Sequence, residues 1–413
     1  MDSELLEKVI GKTASYRDEM ISIQKKLTSM VALAPESGGV GEAEKASFLK
    51  QYLESMNGVK VEEIRAKDSR VPCGYRPNLI ARLEGEKKDR AVWVMSHTDV
   101  VPAGESGLWK GDPFEAWEED DLLYGRGVED NQQGMVSSLF ALKALVDLGV
   151  KPPYDVGLVL VADEEVGSKY GIDYLLERHP DLFREEDLII IPDAGNEDGT
   201  MIEVAEKSIV WLKFKTKGMQ CHASTPQKGV NAFKAASHLV VKLSSLYDVY
   251  NARNEIFNPP ISTFEPTKKE ANVPNVNTCP GEDVFYLDSR ILPEYDIDEV
   301  RHKISKLAHE VEEEFGVTIQ IEPVQLEVAT EPTPDEAPVV KALQCAIKEL
   351  RGREAKPMGI GGGTVASFFR RRGFKAAVWS TMEESAHQPN EYCKISNMIE
   401  DSKVFAHVFL QGY

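Results

Sequence analysis

The sequence predicts an α/β protein: a main domain with a mainly parallel sheet flanked by helices, and an inserted ferredoxin-like α+β domain. Three observations predict it. Four short apolar runs, Ala91–Met95, Val156–Ala162, Leu188–Pro192 and Ala376–Ser380, read as strands buried on both faces. Acids or histidines follow each run at once: His97 and Asp99, then Asp163-Glu164-Glu165, then Asp193, then Glu383, Glu384 and His387. Open α/β sheets bind ligands at that carboxyl edge. From Lys207 the pattern changes to β-α-β-β-α-β, the ferredoxin-like plan.

A chain of 413 residues, 42% hydrophobic and 28% charged, has the make-up of a soluble globular protein of two or three domains. Its net charge of −20, from 68 acids against 48 bases, disfavours nucleic acid and anionic membrane as partners. Cys73, Cys221, Cys279, Cys345 and Cys393 are scattered and odd in number, so free thiols in a reducing compartment are expected. The first residues hold no apolar core of signal-peptide length, and no run is long enough to span a bilayer. A cytoplasmic location is expected.

In chain order, residues 2–31 read as helical, Pro35–Gly39 as a break, and Glu42–Ser55 as a second helix. Val59–Ile64 and Asn78–Leu83 read as strands ahead of Ala91–Met95. Trp109–Pro113 and Gly125–Gly127 are turns. A helix from about Gln132 ends at Gly149 and the Pro152-Pro153 pair, leaving Asp130 just ahead of its N-terminus, where an acid can simply be a cap. In the insert, Ile209–Lys217 alternates as an antiparallel strand and Asn231–Leu246 is an amphipathic helix. Strands follow near Asn275–Thr278 and at Val284–Leu292, then a charged helix Asp298–Phe315 and a last strand Val317–Val328. Thr330–Pro338 is a turn-rich return, and the helix Val339–Arg351 leads into Gly359–Thr364. The domain boundaries are therefore 1–206, 207–328 and 329–413.

Alone, His97 with Asp99 is as much a polar strand end as a ligand with its orienting acid. Four such strand ends argue for one shared site. His97, His387, Asp130, Glu165 and Asp193 make a two-metal set if Asp130 bridges both ions. Two divalent cations are then balanced by three carboxylates and one hydroxide, which suits a partly buried pocket. Mixed nitrogen and oxygen ligands favour zinc (Zn2+), with cobalt (Co2+) or manganese (Mn2+) as alternatives. Glu164, beside a ligand acid, is the candidate general base.

HTDVVP, GRGVEDNQQG, ADEEVGS, the acid after LIIIP, QCHASTP and AHQPNE together resemble the M20 metallopeptidase and amidohydrolase family, in the family's order and over nearly the whole chain. The resemblance implies that His97, Asp193 and bridging Asp130 hold one ion, and that His387, Glu165 and Asp130 hold the other. Glu164 then matches the base and Asp99 the acid that orients His97. It implies a cis peptide after Asp130, and a homodimer through the insert as lid. His222 matches a lid histidine that reaches the partner subunit's site, and Arg290 an arginine that holds a substrate carboxylate. Asn277 and Gly361, Gly362 and Gly363 match further carboxylate contacts. The family's Asn-Val-Ile-Pro is here Asn275-Val-Asn-Thr-Cys-Pro280, which leaves open which asparagine serves.

Three functions follow. The first is hydrolysis of an amide bond beside a free carboxylate, as in a small N-acyl amino acid. The second is a dipeptidase or aminopeptidase, in which Glu383 and Glu384 would supply a counter-charge for a free amine. The third is a non-catalytic binding protein, against which the complete ligand set and base argue.

Overall fold

The computed structural model of the protein describes residues 2–412. Contacts divide it into two units. The first runs to Val204, resumes over Thr333–Pro357 and continues from Thr364; the second is Ala205–Pro332 with Met358–Gly363. That last segment groups with the insert, although the sequence reading left it in the catalytic part. Arg290 Nη1 donates to Gly361 O at 2.9 Å, and a Cβ at Gly359 would lie 2.3 Å from the Phe257 ring. Only glycine allows that approach.

The eight-stranded sheet runs in the order Val59–Lys67, Tyr75–Leu83, Tyr154–Val161, Lys87–His97, Leu188–Asn196, Ala376–Thr381, Met201–Glu206, Lys356–Ile360. The four runs expected to be parallel are so: Lys87–His97 pairs parallel with both its neighbours, and Ala376–Thr381 parallel with Leu188–Asn196. Their β-branched and aromatic side chains pack on both faces, with Trp93, Ile189 and Val378 buried on one of them. All four carboxyl ends therefore face one edge. The third strand is longer than expected. It continues through Asp193 to Asn196, across a register shift against Ala376–Thr381, so Asp193 is a strand residue and not part of a following loop.

Elsewhere the N-terminal helical region is two helices, Ser3–Ala14 and Arg17–Ser29, broken where Tyr16 turns its hydroxyl to Asp147 at 2.6 Å. A small sheet of Trp117–Glu119, Leu122–Tyr124 and Tyr392–Lys394 lay hidden in segments too short for a period. Among the described residues no helix is long and apolar enough to cross a membrane.

The second unit holds four antiparallel strands in the order Thr263–Lys269, Glu282–Ile291, Ser208–Lys217, Thr318–Glu327. Helices Ala232–Leu243 and Ile297–Phe315 share its core, in which Phe214 and Phe285 stack at 4.7 Å. Asn231 and Asp296 cap the two helices with their side chains, and Gly316 ends the second in a left-handed turn. The plan is β-α-β-β-α-β as expected, but its second strand is Thr263–Lys269 and not Asn275–Thr278. Pro266 and three lysines or acids disguise that strand, and an edge position with a bulge at Pro266 tolerates them. Of the expected segment only Thr278 is paired, as part of the two-residue strand Thr278–Cys279 against Cys221–His222.

Candidate metal centre

Each residue at the sheet edge is presented by a distinct local device. His97 ends its strand. Its Nδ1 lies 3.1 Å from the backbone oxygen of Asp99 and 3.5 Å from that residue's carboxylate, so Nδ1 carries the proton and Nε2 turns inward. The nearer partner is thus the backbone of Asp99, whereas the sequence pointed to its side chain. That carboxylate accepts the backbone N–H groups of Glu164 and Glu165, both at 3.0 Å. The same turn is gripped from behind by Asp163, which accepts from buried Arg76 at 3.0 Å; Arg76 in turn pairs with buried Glu42. Asp163 takes a left-handed backbone, φ 67°.

Asp130 lies in the irregular turn Val128–Gln133 ahead of the helix Gly134–Asp147, and its bond to Asn131 is cis, as expected. Asn131 was not singled out from the sequence. Its Oδ1 accepts from His97 N at 3.2 Å, and its Nδ2 donates to Pro192 O at 2.7 Å and to Asp193 at 3.0 Å. It thereby ties the ends of two neighbouring strands to its own turn.

Around Asp130 the imidazoles face only acceptors. His97 Nε2 is 2.9 Å from Asp130 Oδ1 and 3.4 Å from Asp193 Oδ1. His387 Nε2 is 3.0 Å from Asp130 Oδ2 and 3.2 Å from Glu165 Oε2. The other oxygen of Glu165 is buried without a partner. Ligand atoms of His97, Asp130 and Glu165 all lie within 4.8 Å of one another, as do those of His97, Glu164 and Asp193. A nitrogen lone pair aimed at carboxylate oxygens is repulsive unless a proton or a cation stands between them. The donor set therefore fits divalent metal.

The charge balance agrees. Asp130 and then Glu165 raise His387 to about 10. Burial pushes His97 downward, yet Asp130, Asp193 and Asp99 outweigh it and hold the imidazole well above its ordinary value. Burial, then Asp193, raises the Glu164 carboxyl well above the usual carboxylate range. Asp130 is held low despite burial, by His387 and His97.

Behind these residues lie three buried charges that the sequence did not flag. Burial lowers Lys45 to about 8 against the pull of Asp99, Glu42 and Glu391. Burial, reinforced by Asp130, raises Glu391 to about 7. Glu129 is equally buried. Such residues serve groups that only the fold brings near, so no spacing betrays them.

The remaining expected residues belong to the second unit. His222 and Asn277 are exposed and held together: Ala223 N donates to Asn277 O at 2.8 Å beside the short Cys221–His222 bridge. Asn277 also accepts from Asn275 at 2.6 Å. Arg290 forks onto Asp288 at 2.7 and 3.0 Å while reaching Gly361 O; Gly362 and Gly363 complete that loop. In the first unit, Glu383 holds Lys394 at 2.8 Å and Asn397 at 3.1 Å, while Glu384 is exposed.

Cys345, Glu349 and His407 form another group of ligand type. Gln411 Nε2 donates to Ala342 O and to His407 Nδ1, which leaves the His407 proton on Nε2, donated to Glu349 at 2.8 Å. This group is a tie between helices.

Acids and imidazoles grouped within ligand distance at the edge of a mainly parallel sheet fit a metal-dependent amidohydrolase or peptidase. Residues 93–411 match the profile described as peptidase family M20/M25/M40. An uncharacterized metallohydrolase of Methanococcus maripaludis is 42% identical over 95% of this chain and 98% of its own. The succinyl-diaminopimelate desuccinylase of Nautilia profundicola is 26% identical over 90% of this chain and 93% of its own. Human carnosine dipeptidase 1 shares the fold, with a TM-score of 0.77, 19% identity and 98% of each chain covered. The protein belongs to peptidase family M20/M25/M40.

Proposed function

We propose that the protein hydrolyses an amide bond beside a free carboxylate, as a deacylase of small N-acyl amino acids. One observation carries the reading: Glu164 is a half-buried carboxyl within ligand reach of His97 and Asp193, on a turn whose N–H groups are held by the Asp99 carboxylate. A proton acceptor poised above the carboxylate range suits transfer from water to a leaving nitrogen.

His97, Asp193 and Asp130 would hold one divalent ion, and His387, Glu165 and Asp130 the other, zinc being favoured by the nitrogen and oxygen donors. When bound, the pair polarises the scissile carbonyl and acidifies water. Glu164 takes the water's proton at its carboxylate and returns it to the departing nitrogen. Asp99 keeps the Glu164–Glu165 turn in place, and Asn131 keeps Asp193 aligned with His97. Arg290, with the Gly361–Gly363 loop and Asn277, would receive the substrate carboxylate. His222 would donate to the carbonyl oxygen.

The likeness to a desuccinylase supports an N-acyl substrate over a dipeptide. A homodimer through the second unit is supported by its edge strand Thr318–Glu327, where Val324 and Leu326 are exposed. Turnover of N-acyl amino acids and dipeptides by Zn2+- and Co2+-loaded protein tests the reading. Faster cleavage of dipeptides than of any N-acyl amino acid overturns it.

A further inference from the structure

Two buried carboxylates flank the centre without facing it. Glu391 accepts from Arg126 Nη1 at 2.6 Å, Gly127 N at 3.1 Å, Glu129 N at 3.0 Å and Asp130 N at 3.1 Å. Those four donors fill the acceptor sites of one carboxylate. Glu129 accepts from the backbone nitrogens of Glu383 and Ser385 and from Ser385 Oγ at 2.7 Å. The two are 0% and 1% exposed, so neither serves solvent.

The arrangement is reciprocal. Glu129, next to Asp130, holds the loop that carries His387. Glu391, four residues past His387, holds the turn that carries Asp130. Both backbones are irregular, with non-helical dihedrals at Asp130 and a φ of 64° at His387, and neither secondary structure offers their N–H groups a partner. The carboxylates supply it, and their charge is best tolerated beside cations.

We propose that Glu129 and Glu391 are positioning residues that set Asp130 against His387 and so tune metal affinity. This rests on the two-ion reading above. The two acids act on different loops, and their effects separate accordingly. Glu129→Gln disturbs only the His387 loop, so the ion held with His387 and Glu165 should bind roughly 10–100-fold more weakly, with the other unchanged. Glu391→Gln disturbs bridging Asp130 and should weaken both ions.

The test is calorimetric titration of metal-free protein with Co2+, together with its visible spectrum, without recourse to activity. Asp187→Asn is the control. Asp187 is a buried acid that likewise accepts backbone and side-chain N–H groups, from Ala91, Trp93 and Arg184, away from the proposed ligands. It should lower the metal-free melting temperature and leave both affinities intact. Ser385→Ala, which removes one donor to Glu129 without changing charge, gives a graded version if a glutamine variant does not fold. Wild-type affinities in the glutamine variants, or an equal loss in Asp187→Asn, overturn the proposal. A wild-type protein that takes up fewer than two ions overturns the two-ion reading itself, and the positioning roles with it.

Discussion

The carboxylate of Asp99 accepts the backbone N–H of Glu164 at 3.0 Å. The acid two residues beyond His97 thus governs the turn that carries the proposed base more directly than it governs the imidazole. Asp99→Asn sets an amide NH2 against the N–H of Glu164 or Glu165, at a cost of about 1–3 kcal/mol. Turnover should fall roughly 10–100-fold with both ions retained. Steady-state kinetics beside metal analysis checks this; loss of the His97 ion with kcat per bound pair unchanged would return Asp99 to the role of a histidine-orienting acid.

Glu164→Gln keeps shape and hydrogen bonding but cannot accept a proton. It should bind both ions and substrate while kcat drops by about 10²–10⁴-fold. A near-normal kcat removes Glu164 from the proton transfer.

Among the described residues, Asp130 is the one carboxylate in contact with both imidazoles. Asp130→Ala should therefore lose both ions, whereas Asp193→Ala should keep the one held with His387. Elemental analysis after dialysis distinguishes them; one ion retained at full occupancy in Asp130→Ala would show that it does not bridge.

Without metal, His387 holds its proton up to about 10 against an ordinary 6.5. Its contribution to metal-free stability is complete below pH 6.5 and lost as pH rises through 10. Metal needs the neutral ring, so binding at pH 7–8 should release protons, and affinity should rise with pH up to that value. Calorimetry in two buffers of different ionisation enthalpy measures the release; equal heats in both would mean that no proton leaves.

A site shared between chains should show complementation. Glu164→Gln and His222→Ala homodimers should each be inactive, while a random mixture should regain about a quarter of wild-type activity. With subunit exchange demonstrated separately, no recovery would mean that His222 does not act across a dimer.

The centre was legible where chemistry coincides with the end of an apolar run: His97, Glu164, Glu165 and His387 were found that way, and Asp193 too, although its strand runs on past it. Asp130 needed the other strand-end sites beside it, because an acid before a helix is ordinarily a cap. Glu129 and Glu391 escaped because most of their partners are backbone N–H groups freed by irregular turns, and Asn131 because the strand-edge groups it joins, at His97, Pro192 and Asp193, are brought near only by the fold. In the fold, Thr263–Lys269 escaped because an edge strand tolerates proline and charge, which also mark loops.

The reciprocal hold of Glu129 and Glu391 spans most of the chain and gives the centre a place in time. As the polypeptide emerges from N- to C-terminus, the N–H groups of Gly127, Glu129 and Asp130 wait for an acceptor that is translated 261 residues after Asp130. Until then those N–H groups lack the carboxylate that accepts them in the folded protein. If Glu391 positions Asp130 as proposed, a nascent fragment that has folded its first strands but lacks Glu391 should hold metal there more weakly than a chain that includes it.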